Sequence, residues 1–386
     1  MLGVIILWLV FAFLSFGILG MNYLYTKQAI SKPWRIKINK NYNPQISIIV
    51  PTYNEEQVIT YKIRNLLKLR YPKDLMQIIF IDSNSSDSTT TKIKEFVEKN
   101  PDINVKLLIE DQRRGKSSAL NSALKHCDGD IIIVSDVDCF WTPTILNDVI
   151  PYLADPSIGA ISGPKKLLNS GDSQVTKNED SYLKTINLMK LGESKNSSTL
   201  LFEGGFSAYK RAALDSFDPY GTGSDDCGTV VGILEKNLRA IMVPEAKFFT
   251  VFPETWNEKL KIKIRRANQL IKVFKIYFSL LVKGKIKNAK GIIIKNIVIY
   301  LLSPFMFLFF VAFTIYLMLK MPPTVLLLLL FLIPKVRNYL IESVINYLVM
   351  LYSFMLYIFR KNFVSWKQPQ SRTLLTERML IEKGLI

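Results

Sequence analysis

No charged side chain occurs between Met1 and Thr26, and the first is Lys27. At a helical rise of about 1.5 Å per residue, such a run crosses a hydrocarbon core of about 30 Å, so residues 1–26 are predicted to form a transmembrane helix. A cleaved signal peptide fits less well, because the run lacks a basic leading region and a small-x-small cleavage site before Lys27. A second uncharged run covers residues 296–319, and a third apolar region, 321–359, is broken only by Lys335, Arg337 and Glu342. Pro322, Pro323 and Pro334 punctuate that third region, so residues 296–359 are read as two or three transmembrane helices, one of them short or re-entrant. Between the membrane regions, residues 27–258 are long enough for one folded domain. With 49% hydrophobic residues in the chain, disorder is excluded as its dominant state.

Charge sets the expected orientation. Most of the net charge of +18 falls in the central segment. Lys27, Lys32, Arg35, Lys37 and Lys40 crowd one membrane junction, and between Lys259 and Lys295 every charged side chain is basic. Positive-inside logic then places the chain in the cell membrane as a multi-pass protein with a cytosolic domain. Lys259, Lys261, Lys263 and Arg265 alternate with apolar residues, while Leu270, Ile271, Phe274, Tyr277, Phe278 and Leu281 recur at helical spacing. Residues 259–295 are therefore expected to form basic amphipathic helices in the headgroup plane, with membrane lipids rather than nucleic acid as the partner. The tail, residues 360–386, is expected on the surface and carries no assigned role.

His126 is the only histidine, and Cys127, Cys139 and Cys227 lack metal-ligand spacing, so a structural zinc site and a His-based triad are excluded. Acid–base chemistry must come from carboxylates.

The first half of the domain alternates strand and helix signals: residues 45–50 (QISIIV), a helix over 55–69, 76–81 (MQIIFI), a helix over 89–98, 105–109, a helix over 117–125 and 130–134 (DIIIV). This pattern predicts an α/β fold with a mostly parallel sheet covered by helices on both faces. Ligands in such folds bind beyond the carboxyl ends of the strands. Three ends carry polar strings there: PTYNEE from Pro51, in which Asn54 could cap the next helix, DSNSSDST from Asp82, and Asp136-Val137-Asp138. Taken singly, each reads as a turn with a helix cap. Together, at one sheet edge, they suggest a site. Asp136 and Asp138, at i and i+2, suit a hard divalent cation with oxygen ligands and room for a diphosphate. The loop Arg113-Arg114-Gly115-Lys116 would offset the carboxylates, and the helix after it could present amides to an anion, although a solvated basic loop reads equally well.

The ordered series PTYNEE, DSNSSDST, GKSSALNSAL, DVD, EGGFSAYKR and SDD resembles the inverting family 2 glycosyltransferases with a GT-A, Rossmann-like fold, over roughly residues 46–275. The resemblance implies that Pro51, Tyr53 and Glu55 frame the nucleotide and that Asp82 contacts the edge of the base. It places Lys116 near the nucleotide, and Asp136 and Asp138 as the DxD pair, with Asp138 the more direct metal ligand. Asp226 matches the Asp of a TED-like motif that deprotonates the acceptor, and Glu203, Gly204 and Gly205 match a turn on the acceptor side. Membrane-bound members carry a QxxRW motif, and here the matching positions read Ile262-Lys263-Ile264-Arg265-Arg266. Arg265 is kept and would bind the diphosphate, while the glutamine and tryptophan are replaced. A second register starting at Gln269 keeps only the glutamine.

The function so implied is a metal-dependent (Mg or Mn), inverting transfer of a hexose from a UDP- or GDP-linked sugar to a lipid or lipid-linked saccharide at the cytosolic membrane face. The leaving phosphates need cationic stabilisation and the attacking hydroxyl needs a base on the opposite face. Alternatives are a processive polysaccharide synthase, against which the altered QxxRW speaks, and a catalytically silent nucleotide-sugar-binding membrane protein.

Overall fold

The structure, a computed structural model, describes residues 1–323, 326, 332–359 and 370–386. Ten strands can be followed through the domain: β1 (Ile46–Thr52), β2 (Met76–Asp82), β3 (Val105–Ile109), β4 (Ile131–Val134), β5 (Phe140–Trp141), β6 (Ile158–Ser162), β7 (Lys165–Leu167), β8 (Ser207–Lys210), β9 (Arg239–Met242) and β10 (Phe248–Thr250). Among the described residues they form a seven-stranded sheet in the order β3-β2-β1-β4-β8-β6-β9 and a small sheet in the order β5-β10-β7. Strands β1 to β4 pair in parallel, as their alternation with helices predicts. β8 runs antiparallel between β4 and β6, which makes the sheet mixed.

Side chains of the central strands alternate between two cores. Ile46, Ile48 and Val50 of β1, Ile78 and Phe80 of β2, and Ile131 and Ile133 of β4 face one core with Ile59, Ile63 and Leu66 of the helix Ile59–Leu67. Ile49, Ile79, Ile81, Ile132 and Val134 face the other, with Ala119, Leu120 and Ala123 of the helix Lys116–Leu124 and Val230, Val231 and Leu234 of the helix Cys227–Glu235. A strand buried on both faces reads as a continuous apolar run, which is why β1, β2 and β4 are uniform in sequence rather than alternating. The first predicted helix starts later than expected. Val58 occupies its N-cap position, and Asn54 instead adopts a left-handed conformation, φ 52°, with Oδ1 accepting the Ser86 amide at 2.8 Å. Asn54 therefore ties the end of β1 to the loop after β2.

Three helices are long and apolar enough to cross a membrane among the described residues: Leu2–Ile30, Lys290–Lys320 and Tyr339–Ile358. The first continues past residue 26, and the second begins before residue 296. They pack on one another, with Trp8 Nε1 donating to Thr314 Oγ1 at 2.8 Å and Phe11 stacked on Phe309. Of the region expected to hold one or two spans, the helix Pro334–Ile358 supplies one, and residues 324–325 and 327–331 lie outside the described residues.

Within residues 259–295, part of the basic stretch packs inward. The helix Trp256–Val282 packs Val273, Phe274, Tyr277 and Leu280 into the second core, and its basic residue Lys259 is fully buried, 3.2 Å from Glu179. Lys263 pairs with Glu342 at 3.4 Å. These carboxylates lie on elements distant in sequence, so the local alternation of charge could not reveal that the ammonium groups point inward. Nor is the tail merely on the surface. Leu375, Leu380, Leu385 and Ile386 are buried in the first core, and Asn65 Nδ2 donates to the Leu385 carbonyl at 2.7 Å.

Candidate active site

The carboxyl ends of β1, β2 and β4 open into a cavity of about 1590 Å³ that extends to the membrane-type helices. Pro51, Tyr53, Glu55, Lys116, Asp136, Asp138, Glu203, Gly204, Gly205, Asp226 and Arg265 all line it. Asp138 and Asp226, on which the expected chemistry depends most, thus share one chamber.

Lys116 is the organising cation. Gly115, at φ 98°, turns the basic loop into the helix Lys116–Leu124, and Lys116 Nζ lies 2.6 Å from both Asp136 Oδ1 and Asp225 Oδ2. Burial works against its charge, but Asp136 and Asp225 hold its pKa above the usual lysine range. Burial likewise opposes the charge on Asp136, and Lys116 overrides it, keeping that carboxyl below its ordinary value. Asp225 responds the other way. Burial, with Asp226 and Asp136 beside it, raises its pKa to about 6 although Lys116 pulls it down. Two carboxylates sharing one ammonium separate in this sense because only one can claim most of the charge compensation.

Asp136, Asp138 and Cys139 bring ligand atoms within 4.8 Å of one another. The two carboxylates fit a hard divalent cation. Beside them, burial and the charge of Asp138 push the pKa of the Cys139 thiol well up, and its Sγ donates toward Asp138 Oδ1 at 3.7 Å. Beneath this loop Lys62 is fully buried, donating to Ser135 Oγ at 2.5 Å and to the Cys139 carbonyl at 2.6 Å. Burial lowers its pKa to about 7.

Asp226 caps the helix Cys227–Glu235 through Oδ1, which accepts the Cys227 amide at 2.6 Å and the Ser224 hydroxyl. Its Oδ2 has no hydrogen-bond partner among the described residues, so one oxygen is fixed while the other can accept a proton. Gln269 Nε2 donates to the Gly223 carbonyl and so holds the turn that carries Asp226. Glu203 is clamped by Lys165 at 2.7 Å and Lys190 at 2.8 Å, and although burial favours its neutral form, these ammonium groups hold it well below the usual carboxylate range. Gly204 gives close approach: a Cβ there would stand 2.8 Å from Lys116 Nζ and 2.9 Å from Asp136 Oδ2. That contact places Gly204 at the DxD pair as well as beside Glu203. The Arg113 guanidinium lies 3.8 Å from the centre of the Tyr53 ring.

Asp82 stands apart from the other residues singled out in the sequence. It is fully buried and off the cavity wall, with Oδ1 accepting from Thr52 Oγ1 at 2.9 Å and Ser85 Oγ at 2.5 Å, and Oδ2 from the Ser85 amide at 2.8 Å. Its hydrogen bonds shape the loop after β2.

Arg372, Asp225, Lys165 and Lys190 were missed. Arg372 Nη1 lies 2.5 Å from Glu55 Oε2 and Nη2 lies 3.8 Å from Asp138 Oδ2, so the C-terminal segment reaches the acidic pair from outside the α/β domain. No local motif marks it. Asp225 was in view within SDD, where its neighbour drew the attention.

Residues 47–217 match the family described as Glycosyl transferase family 2, so the chain carries a domain of that family. The beta-monoglucosyldiacylglycerol synthase of Synechocystis sp. is 34% identical over 126 residues, 33% of this chain and 26% of that protein. A poly-beta-1,6-N-acetyl-D-glucosamine synthase of Staphylococcus aureus is 26% identical over 262 residues, 65% of this chain and 61% of the relative. The chain thus spans less than two thirds of the length of these curated relatives. The structure of the mannosyltransferase PcManGT from Pyrobaculum calidifontis, in complex with GDP-Man and Mn2+, superposes with a TM-score of 0.79 at 26% identity, covering 93% of this chain and all of the other. The mixed sheet and the acidic pair at the end of β4 are those of a GT-A glycosyltransferase.

Proposed function

We propose that this chain, which carries a Glycosyl transferase family 2 domain over residues 47–217, transfers a hexose from a nucleoside diphosphate sugar to a lipid or lipid-linked acceptor at the cytosolic face of the cell membrane, with inversion. The observation that carries this reading is the single cavity lined by Asp136, Asp138, Lys116, Arg265 and Asp226 and continuous with residues of all three membrane-type helices. The name of the Synechocystis relative supports a lipid acceptor, and the full-length similarity to a structure holding GDP-Man and Mn2+ supports the donor class and a divalent cation.

Asp138 and Asp136 would hold the cation, which when bound supplies positive charge to the leaving diphosphate. Lys116 and Arg265 face the same place, and both feel Asp136 and Asp225, so a phosphate would take over from those carboxylates as their counter-charge. Asp226, fixed through Oδ1, takes the acceptor hydroxyl proton on Oδ2 as the oxygen attacks the anomeric carbon. The electron pair of the broken C–O bond leaves on the diphosphate, and one displacement inverts the centre.

A thermal-shift series on the full chain in detergent tests the donor side: UDP, GDP and their sugars, each with and without Mn2+. One nucleotide is expected to raise Tm in a cation-dependent way, and Asp138→Asn is expected to abolish that dependence. Stabilisation by no nucleotide would exclude the reading.

A further inference from the structure

Arg266 stands where the resembling membrane enzymes carry the tryptophan of QxxRW, and its surroundings give the replacement a chemical meaning. It lines the cavity and is exposed, whereas Ala267, Asn268 and Ile271 of the same helix are buried. Of the carboxylates whose charge it feels, Glu203 is paired with Lys165 and Lys190 and Glu179 with Lys259, while Asp226 acts on it without an ion pair between the two. Among the described residues no side-chain hydrogen bond or ion pair holds the guanidinium of Arg266, nor that of Arg337, which lines the same cavity just before the span Tyr339–Ile358. The chamber therefore holds guanidinium charge that is not taken up by an ion pair. Its lining also includes the apolar side chains Leu19, Tyr23, Ile299, Ile341 and Met350 from the three membrane-type helices.

We propose that the membrane-side arm of the cavity is a phosphate-binding acceptor site, in which Arg266 grips the phosphate of a lipid-linked acceptor while its hydrocarbon lies against the apolar wall. The lining supplies the three kinds of group such a molecule needs: apolar side chains for the hydrocarbon, Arg266 for the phosphate and Asp226 for the group that receives the sugar. A planar guanidinium binds phosphate through two parallel N–H donors, which a tryptophan cannot do. Arg266 lines the same cavity as Asp226 and feels the charge of both Glu203 and Asp226, so it lies within electrostatic range of the proposed base. This inference rests on the cavity being a transferase site, and it adds the chemical class of the acceptor.

Binding is measured on the full chain in neutral detergent, without donor or cation, by thermal shift with farnesyl phosphate, farnesol, inorganic phosphate and phosphatidylglycerol. The wild type is expected to bind farnesyl phosphate at least tenfold more tightly than farnesol or either phosphate control. Arg266→Gln is expected to lose that preference and Arg266→Lys to keep part of it, while both keep the nucleotide response as evidence of folding. Equal binding of farnesyl phosphate and farnesol, an unchanged preference in Arg266→Gln, or equal effects of inorganic phosphate or phosphatidylglycerol would each overturn the proposal. Loss of the nucleotide response in wild type, with the farnesyl phosphate preference intact, would count against the transfer reading and leave the phosphate site standing.

Discussion

At the residue scale, the division of labour between neighbouring carboxylates yields the sharpest expectations. Asp225 is occupied by Lys116, whereas Asp226 keeps one oxygen free. Asp226→Asn preserves size and can still accept through its amide oxygen, but it cannot take up a proton. It is expected to retain nucleotide affinity and lose transfer by ~10²-fold or more, measured as sugar released to acceptor at saturating donor. Equal rates would remove Asp226 from the role of base. Lys62 provides a test based on pH. Its folded-state pKa, lowered by burial to about 7, lies below the lysine reference of 10.5, so between those values the unfolded chain binds more protons. Stability conferred by Lys62, read as Tm of wild type minus Tm of Lys62→Met, is therefore expected to rise from pH 7 toward pH 10 and to be flat below 7. A difference that does not change with pH would show that Lys62 keeps its charge in the fold. Asp136 and Asp138 were legible in the sequence because their string falls at the same sheet edge as two other polar strings; alone it would read as a turn with a helix cap. Asp82 looked equivalent, but its partners Thr52 and Ser85 are ordinary loop residues whose convergence on one carboxylate appears only in three dimensions.

At the element scale, strands and helices of the α/β core were readable from hydrophobic period, because β1, β2 and β4 bury both faces and their helices bury one. Two features were not readable: the inward-facing lysines of the helix Trp256–Val282, which find Glu179 and Glu342 across the fold, and the C-terminal segment, whose four buried apolar side chains are too sparse to announce a core element. That segment makes its own prediction. Leu380 is fully buried, and Leu380→Ala is expected to cost about 2–5 kcal/mol in chemical denaturation, a value a surface tail would not give. Arg372→Ala removes the buried ion pair with Glu55 and is expected to cost about 3–5 kcal/mol. Combined with Glu55→Gln, the loss is expected to be smaller than the sum of the two single losses, because both substitutions remove the same pair. Strict additivity of the two substitutions would show that the pair does not couple.

At the scale of the whole molecule, the catalytic domain and the membrane-type helices are one packed body. The end of the helix Leu2–Ile30 buries Thr26 and Ala29 beside the helix Gln174–Asn196, and the helix Pro334–Ile358 packs along Trp256–Val282. The cavity thus opens both toward the strand ends and toward the apolar helices, which an acceptor drawn from the bilayer requires. The proposed cytosolic side rests on charge: Lys27 lies in the last turn of the first span and Lys32, Arg35, Lys37 and Lys40 follow it, and Lys283, Lys285, Lys287 and Lys290 directly precede or open the second. Each basic residue held near the cytosolic leaflet contributes, so the two clusters reinforce one orientation. Lys99 ends the helix Thr89–Lys99 with a largely exposed side chain. In intact cells a Lys99→Cys variant is expected to resist a membrane-impermeant maleimide and to react fully once the membrane is opened. Because Cys127, Cys139 and Cys227 are buried or half-buried, the wild type provides the background. Labelling of the intact cells to the same extent would put the domain outside and leave a cytosolic nucleotide sugar without access to Asp138.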